Sequence, residues 1–300
     1  MTTASASPRR CLRYSTGALA LGVALFCYAF WIEPRWIQIT RIEIPIPGLP
    51  QDLDGLAIAQ LSDLHLGPHI EARHIGRAVD LVNDLKPDLV VLTGDYVSGS
   101  ADFAGPCAVE LSRLNAPYGV SAVLGNHDEW TSAETVAQEL RHVGIRVLRN
   151  EAQEIHVGAA SLWLLGIDDA GVTGVSWQAG MSPREFAALW AIQREAYEET
   201  KTSIPAGAPV ILLAHNPDFV ETVKLEGICL GLCGHTHGGQ IRIPMVGSLL
   251  LPSIHGQKYA SGLAECQGVP IYVNRGIGLI SPPLRFLCRP EVTLILLRTA

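Results

Sequence analysis

Apolar runs of strand length alternate with segments of helical spacing along most of this chain. Residues 73–85 show the helical pattern clearly, because Ile75, Val79 and Val82 recur every three or four positions. Strands that alternate with helices predict a layered α/β domain. The predicted strands are residues 36–46, 56–61, 89–92, 120–124, 162–165, 210–214, 228–233, 241–243, 248–251, 269–273 and 292–297, and the other predicted helices are residues 109–114, 131–143 and 183–200.

An uncharged apolar run, residues 14–32, stands near the N-terminus. A helix of this length spans about 28 Å, close to the hydrocarbon thickness of a bilayer. Its aromatic end, Phe30-Trp31-Ile32, differs from the small-residue cleavage site of a signal peptide, which is the alternative. Three arginines precede the run and two follow it closely. This bias predicts a single-pass inner-membrane protein whose main domain is extracytoplasmic.

The pattern predicts a small number of segments and one insertion. The segments are a basic tail at 1–13, a transmembrane anchor at 14–32, a strand with a Pro-rich linker at 36–50 and the main domain at 51–300. Residues 171–207 are the candidate insertion, with glycines and serines before a helix. One interpretation is a surface helix packed on the domain. The other is a lid, whose Trp177, Met181 and Trp190 would meet an acyl chain or a bilayer.

Composition narrows the range of partners. The chain is 48 % apolar and 17 % charged, which is typical of a globular protein with a sizeable core. The formal net charge is −7, and no basic segment indicates nucleic-acid binding. An acidic protein that handles phosphates needs local positive charge, which bound metal ions would supply.

Candidate ligands for metal ions directly follow several of the apolar runs. Ligands at the carboxyl ends of strands fit the usual position of sites in α/β sheets. Carboxylate, imidazole and side-chain amide groups suit divalent first-row metals rather than copper(I) or iron–sulfur clusters. The motifs are Asp63-Leu64-His65, Gly94-Asp95, Gly125-Asn126-His127-Asp128, Ala214-His215-Asn216 and Gly234-His235-Thr236-His237.

These motifs, in this order, resemble the calcineurin-like metallophosphoesterase superfamily. Its pattern is D-x-H, G-D, G-N-H-D/E, a lone His and then G-H-x-H, and here it extends over residues 56–239. The residues around the first and last motifs resemble those of a bacterial membrane-linked branch of this superfamily, and so does the segment Asn274-Arg275-Gly276-Ile277-Gly278. That branch includes UDP-2,3-diacylglucosamine hydrolases of lipid A biosynthesis. The resemblance implies a four-layer αββα sandwich, in which two facing mixed β-sheets are flanked by helices.

The resemblance also implies a dinuclear metal centre, with Mn, Fe, Zn or Co as the candidate divalent ions. Asp95 would bridge the two ions, which would clamp the phosphoryl oxygens around a bridging hydroxide. His127 would be the catalytic residue, donating to a phosphoryl oxygen or protonating the leaving group. The implied ligands besides Asp95 are Asp63, His65 and His237 for the first metal and Asn126, His215 and His235 for the second.

Departures from the family pattern limit the reaction. Where protein phosphatases of the superfamily carry Asp and Arg after the second motif, this chain has Ser98 and Gly99, which argues against that activity. The main proteobacterial UDP-diacylglucosamine hydrolases carry Arg at the position of His127. Weaker signals suggest that Arg275 and Asp128 contact substrate.

The predicted function is hydrolysis of a phosphodiester or pyrophosphate bond, with a lipid-linked compound such as UDP-2,3-diacylglucosamine as one substrate. A broad-specificity phosphomonoesterase is the first alternative. The second is a non-catalytic metal-binding scaffold of the same fold, against which the complete ligand set and His127 argue.

Overall fold

Two six-stranded β-sheets form the centre of the fold. The computed structural model describes residues 8–169, 171, 183–248 and 250–300. The strands are β1 Gln38–Ile46, β2 Ala57–Leu61, β3 Leu89–Thr93, β4 Val120–Val123, β5 Arg146–Val147, β6 Glu151–Val157, β7 Ala160–Ile167, β8 Val210–Ala214, β9 Ile228–Cys233, β10 Arg242–Ile243, β11 Gly247–Ser248, β12 Gly262–Cys266, β13 Val269–Val273 and β14 Glu291–Thr299.

Each sheet has a parallel centre and at least one antiparallel pairing. The first sheet has the order β1-β14-β2-β3-β4-β5, and only the β14–β2 pairing in it is antiparallel. The second sheet has the order β12-β13-β9-β8-β7-β6, with antiparallel pairs at both edges. Strands β10 and β11 form a separate antiparallel pair.

Helices cover the outer faces of both sheets, so the predicted four-layer αββα sandwich is confirmed. The helices are α1 Pro8–Cys27, α2 Ala72–Leu85, α3 Ala104–Leu111, α4 Asn126–His142 and α5 Pro183–Lys201. In β3, Val90 and Leu92 pack toward the helices, whereas Leu89 and Val91 pack between the sheets. A strand that is buried on both faces needs apolar residues at every position, which explains the continuous apolar runs.

The apolar run at residues 14–32 does not form one helix. After α1, a π-helical turn spans Tyr28–Ile32 and a 3₁₀ turn spans Glu33–Arg35. Within the described part of the chain, no helix has the length and apolar character that crossing a membrane requires. The predicted transmembrane anchor is therefore wrong, and so is the predicted single-pass inner-membrane location with an extracytoplasmic domain.

The reason lies at both ends of the apolar run. Its first part shares α1 with Arg9, Arg10 and Arg13, so that helix is not continuously apolar. Its last part lies against the main domain, where Ala29 and the neighbouring Glu33 are buried. Apolar character near the N-terminus is thus used partly for packing within the chain.

Helix α5 packs on the second sheet through its buried residues Trp190 and Tyr197. The Trp190 ring stacks near Phe219, with 6.0 Å between ring centroids. For Trp190, the structure therefore agrees with a packed surface helix rather than with a lid. Trp177 and Met181, on which the lid interpretation also depends, lie outside the described residues.

Candidate metal centre

Parallel strands from both sheets bring the predicted ligands to one edge of the sandwich. In the first sheet, β2, β3 and β4 run side by side and lead to Asp63, Asp95 and Asn126. In the second sheet, β8 and β9 lead to His215 and His235. Because parallel strands share their carboxyl edge, residues that are distant in sequence become neighbours there.

Asp63, His65 and His237 form the first ligand group. One ligand atom from each lies within 4.8 Å of the other two. The Nε2 atoms of His65 and His237 are 3.0 Å apart, and His237 Nε2 is 3.3 Å from Asp63 Oδ1. All three residues are buried. Two imidazole nitrogens and a carboxylate oxygen at these separations can hold one divalent ion.

Asp95, His215 and His235 form the second ligand group, with ligand atoms again within 4.8 Å of one another. His215 Nε2 lies 3.2 Å from Asp95 Oδ2 and 3.3 Å from His235 Nδ1. Asn126 is the buried first residue of α4, and the next residue, His127, donates its backbone N–H to Asp95. The structure therefore brings all seven predicted ligands to this edge.

One oxygen of Asp95 faces both ligand groups. Asp95 Oδ2 is 3.4 Å from His65 Nε2 in the first group and 3.2 Å from His215 Nε2 in the second. The other oxygen, Oδ1, accepts the backbone N–H of His127 at 2.8 Å. The Asp95 carboxylate is thus placed where a ligand that bridges two ions is needed.

The buried polar atoms of the centre are better suited to binding metal ions than to forming hydrogen bonds with one another. His65 Nε2 faces His237 Nε2, and His215 Nε2 faces His235 Nδ1, although each imidazole pair can share only one proton along that line. Asn126 Oδ1 is buried and has no hydrogen-bond partner among the residues described. Buried polar atoms normally have partners, so these converging lone pairs indicate ligands for cations.

The pKa of His215 is shifted in the opposite direction from the pKa values of His65 and His235. Burial lowers the pKa of His65 and of His235 to about 3, so both are neutral, as metal ligands must be. Burial alone would also lower the pKa of His215, but the Asp95 carboxylate and then Asp63 raise it well above 6.5. Binding of a metal ion to His215 therefore competes with binding of a proton at the same nitrogen.

Several candidate ligands have left-handed backbone conformations. Such conformations are uncommon for residues other than glycine and cost about 1–3 kcal/mol each. The surrounding structure must therefore hold these residues in place, as is typical of functional sites. The residues and their φ angles are Asp63 (50°), His65 (48°), Asp95 (59°), His235 (72°) and His237 (52°).

The Asp128 side chain is buried and holds the backbone of the loops that carry the candidate ligands. Its fully buried carboxylate accepts the backbone N–H groups of Asp95 and Tyr96 at 2.8 Å and of Gly125 at 2.9 Å. Since Gly125 is the N-cap of α4, one carboxylate ties the start of this helix to the Asp95 loop. Contact of Asp128 with substrate stays a prediction.

His127 lies at the outer side of the centre and is partly exposed. Its ring is 4.6 Å from that of His65 and 4.9 Å from that of Trp130. Trp130 is 56 % exposed. Sequence reasoning missed this tryptophan, although its position three residues after His127 on a helix would place the two side chains together.

Arg275 and Arg285 flank the first ligand group in different ways. The Arg275 guanidinium forms a two-point ion pair with Glu291, with both N–O distances at 3.1 Å. Its predicted contact with phosphate stays a prediction. Arg285 was missed from the sequence, yet it is fully buried beside His237. No local pattern around Arg285 predicts that burial.

Fold and site together place the protein among hydrolases that cleave phosphoesters with the help of two metal ions. The chain belongs to the calcineurin-like phosphoesterase family, whose sequence pattern matches residues 56–239. The predicted family and the predicted class of enzyme, a metal-dependent phosphoester hydrolase, are thereby confirmed.

Two bacterial relatives match almost end to end. The chain is 32 % identical over 301 residues to the uncharacterized metallophosphoesterase YkuE of Bacillus subtilis (strain 168), covering 98 % of both chains. It is 32 % identical over 294 residues to the phosphodiesterase YaeI of Escherichia coli (strain K12), covering 96 % of this chain and 98 % of that one. These names do not single out UDP-2,3-diacylglucosamine hydrolases, so that branch stays a prediction.

A solved structure shows the same fold. The protein TT1561 of Thermus thermophilus superposes with a TM-score of 0.50 at 12 % identity, covering 74 % of this chain and 90 % of that one. At this level of identity the likeness concerns the fold alone.

Proposed function

We propose that this protein hydrolyses phosphodiesters in preference to phosphomonoesters. The observation that carries the proposal is a depression of about 460 Å³ beside His127. Apart from His127, the residues that line it carry no ionisable side chain: Ser98, Gly99, Ser100, Ala101, Trp130 and Thr131.

The charge of the substrate decides between the two ester classes. A monoester phosphate is largely a dianion near neutral pH, whereas a diester phosphate carries one negative charge. The lining of the depression offers no Lys or Arg for a second charge, and Ser98 and Gly99 occupy the positions of Asp and Arg in similar phosphatases. Trp130 offers an exposed flat surface on which the second ester group of a diester can lie.

The residues of the centre would have different roles in the reaction. The seven ligand side chains would hold two divalent ions, which when bound would supply Lewis acidity to the phosphoryl group. His127, at the outer side of the ligands, can donate a proton to the departing oxygen. Asp128 would act indirectly, because its carboxylate fixes the backbone of the Asp95 loop.

UDP-2,3-diacylglucosamine, a lipid-linked compound with a pyrophosphate bond, is a further substrate to test beside the phosphodiesters. The support for it comes from the sequence resemblance of the first and last motifs. Two of the residues predicted to contact acyl chains, Trp177 and Met181, lie outside the described residues.

A comparison of two model substrates tests the proposal. With Mn²⁺ present, we expect kcat/KM for bis-p-nitrophenyl phosphate to exceed that for p-nitrophenyl phosphate by at least about 10-fold. Trp130→Ala should raise KM for the diester more than for the monoester. Trp36→Ala, which removes another exposed tryptophan, is the matched control and should leave both KM values unchanged. Equal or better use of the monoester would overturn the proposal.

A further inference from the structure

Arg285 touches both loops that position the first ligand group. Its Nη2 donates to the carbonyl oxygens of Arg275 and Gly278, both at 2.8 Å. Its Nη1 donates to the carbonyl oxygens of Cys288 at 3.2 Å and of His237 at 3.4 Å. Among the described residues, the oxygen atoms that accept from this fully buried cation are all backbone carbonyls.

The loop at residues 275–278 packs directly against Asp63. Gly278 donates its backbone N–H to Asp63 O at 2.6 Å, and Ile277 donates to Ser62 O at 3.0 Å. A Cβ atom at Gly276 would lie only 2.6 Å from Asp63 Cβ. Arg285 therefore holds the backbone of one ligand, His237, and the loop against which another ligand, Asp63, is packed.

The N-terminal segment, defined as residues 28–35, fixes Arg285 in turn. The backbone N–H of Arg285 donates to Ala29 O at 2.9 Å. The Glu33 carboxylate is fully buried and accepts the backbone N–H groups of Leu287, at 2.9 Å, and Cys288. The loop that carries Arg285 is thus attached to this segment at residue 285 and again at residues 287 and 288.

We propose that Arg285 is a positioning residue for the first ligand group, and that the N-terminal segment acts on the metal centre through it. The proposal rests on the metal centre proposed above. Asp63 and His237 have left-handed backbone conformations, with φ angles of 50° and 52°, and need external support to keep them. A guanidinium offers five donors in a rigid plane, so it can hold several carbonyls at fixed positions, which lysine cannot.

The second ligand group has support of its own in addition to one link to the first group, in which His235 donates its backbone N–H to the Asp63 carboxylate at 3.0 Å. Its backbone is held by β8, β9 and the Asp128 carboxylate. Within the described residues, the hydrogen bonds of Arg285 reach His237 but neither His215 nor His235. Loss of Arg285 should therefore weaken the first metal site much more than the second, whereas a general loss of stability would weaken both alike.

Manganese binding to the chain of residues 1–300 tests the proposal. Calorimetry measures the affinity of each site, and electron paramagnetic resonance distinguishes a coupled Mn²⁺ pair from an isolated ion. Arg285→Met should lower the affinity of one site by at least about 10-fold, as loss of a supporting group around a metal commonly does. The variant should give the spectrum of an isolated ion, and the second affinity should stay within about 3-fold.

Three other variants make the test selective. Arg289→Met is the matched control, because Arg289 stacks on Trp36 and donates to Trp36 O in the same region. It should keep two coupled ions. Glu33→Gln and Arg285→Lys should each lower the affinity of the same single site, by less than Arg285→Met does.

The outcomes separate this proposal from the one on which it rests. If Arg285→Met does not fold, Glu33→Gln and Arg285→Lys decide. Two coupled ions at wild-type affinity in both would overturn the role of Arg285. A wild-type chain that binds fewer than two ions would instead contradict the proposed metal centre.

Discussion

At the scale of single residues, the Asp95 side chain connects the two ligand groups with helix α4. One oxygen lies within 3.4 Å of an imidazole from each ligand group, and the other accepts a backbone N–H at the start of α4. A substitution at Asp95 therefore disturbs both metal sites together, whereas one at His127 leaves the ligand set intact.

The role of His127 predicts an effect that depends on the leaving group. His127→Ala should retain both metal ions and lose roughly 10²–10⁴-fold on an alkyl ester, the usual contribution of general acid catalysis. The loss should be much smaller on a nitrophenyl ester, because that oxyanion leaves without a proton. Rates on the two esters, with metal content as the control, check this. Equal losses on both esters would exclude general acid catalysis by His127.

His74, which is not one of the candidate ligands, predicts a pH dependence of stability. Burial lowers its pKa from 6.5 to about 4, and its Nε2 lies 3.3 Å from Ile277 O. The folded state therefore binds fewer protons than the unfolded state between these pH values. The stability from the neutral ring is complete above pH 6.5 and falls as the pH drops toward 4.

The matched variant is His74→Gln, which removes the titration and keeps a hydrogen-bonding side chain. Between pH 7 and pH 5, the wild-type chain should lose about 2 kcal/mol more unfolding free energy than the variant. Urea unfolding at both pH values measures the difference. Parallel losses in the two proteins would show that His74 does not carry this dependence.

Single residues also show how far the sequence predicts the site. The motifs identified Asp63 and Asn126 as ligands through their resemblance to the family pattern. The guanidinium group of Arg275 forms an ion pair with Glu291, which lies sixteen residues further along the chain. No sequence motif predicts such an ion pair. Arg285 is buried by contacts from loops that are distant in sequence, so hydrophobic patterns carry no information about it.

At the scale of elements, the ends of helices differ most from expectation. Helix α4 begins at Asn126, before the predicted start at residue 131. It is broken at Ser132, which has non-helical backbone angles (φ −175°, ψ 89°), so its second part begins where the prediction placed the helix. Its first turn consists of ligands and polar residues, so apolar spacing, on which the prediction rested, appears only later. Helix α3 begins at Ala104 although the apolar pattern started at residue 109, because Pro106 fits a first turn that lacks intrahelical N–H bonds.

Glycines at the ends of strands provide an element-scale prediction. Gly276 and Gly268 both have φ angles that favour glycine, 72° and 81°. An added Cβ would meet nothing within 4 Å at Gly268 but would lie 2.6 Å from Asp63 Cβ at Gly276. Gly268→Ala should therefore cost only the backbone strain, about 1–2 kcal/mol, and leave metal binding unchanged.

Gly276→Ala should cost more and should also weaken metal binding, because the new methyl group must displace Asp63. Urea unfolding in EDTA gives the stability of each variant, and titration with Mn²⁺ gives the affinity. If the two alanine variants behave alike in both measurements, the close packing of the loop at residues 275–278 on Asp63 does not matter for the centre.

At the scale of the whole molecule, the layers could be predicted but the order of strands could not. Alternating strands and helices, with the resemblance, indicated two sheets. Strand β1 pairs in parallel with β14, at the opposite end of the chain, and periodicity contains no signal for such a distant pairing. For the N-terminal run, the sequence predicted a transmembrane anchor that the described part of the chain does not show. Apolar composition alone does not distinguish packing on a domain from insertion into a bilayer.

The central claim is that two metal ions bridged by Asp95 are needed for phosphodiester hydrolysis. The most direct measurement titrates the metal-free chain with Mn²⁺ while hydrolysis of bis-p-nitrophenyl phosphate is followed. The rate should reach its plateau at about two equivalents, as a two-metal mechanism requires. Asp95→Asn should bind fewer ions and be slower by at least about 10³-fold. A plateau at one equivalent, or two bound ions and a near-normal rate in Asp95→Asn, would contradict the account.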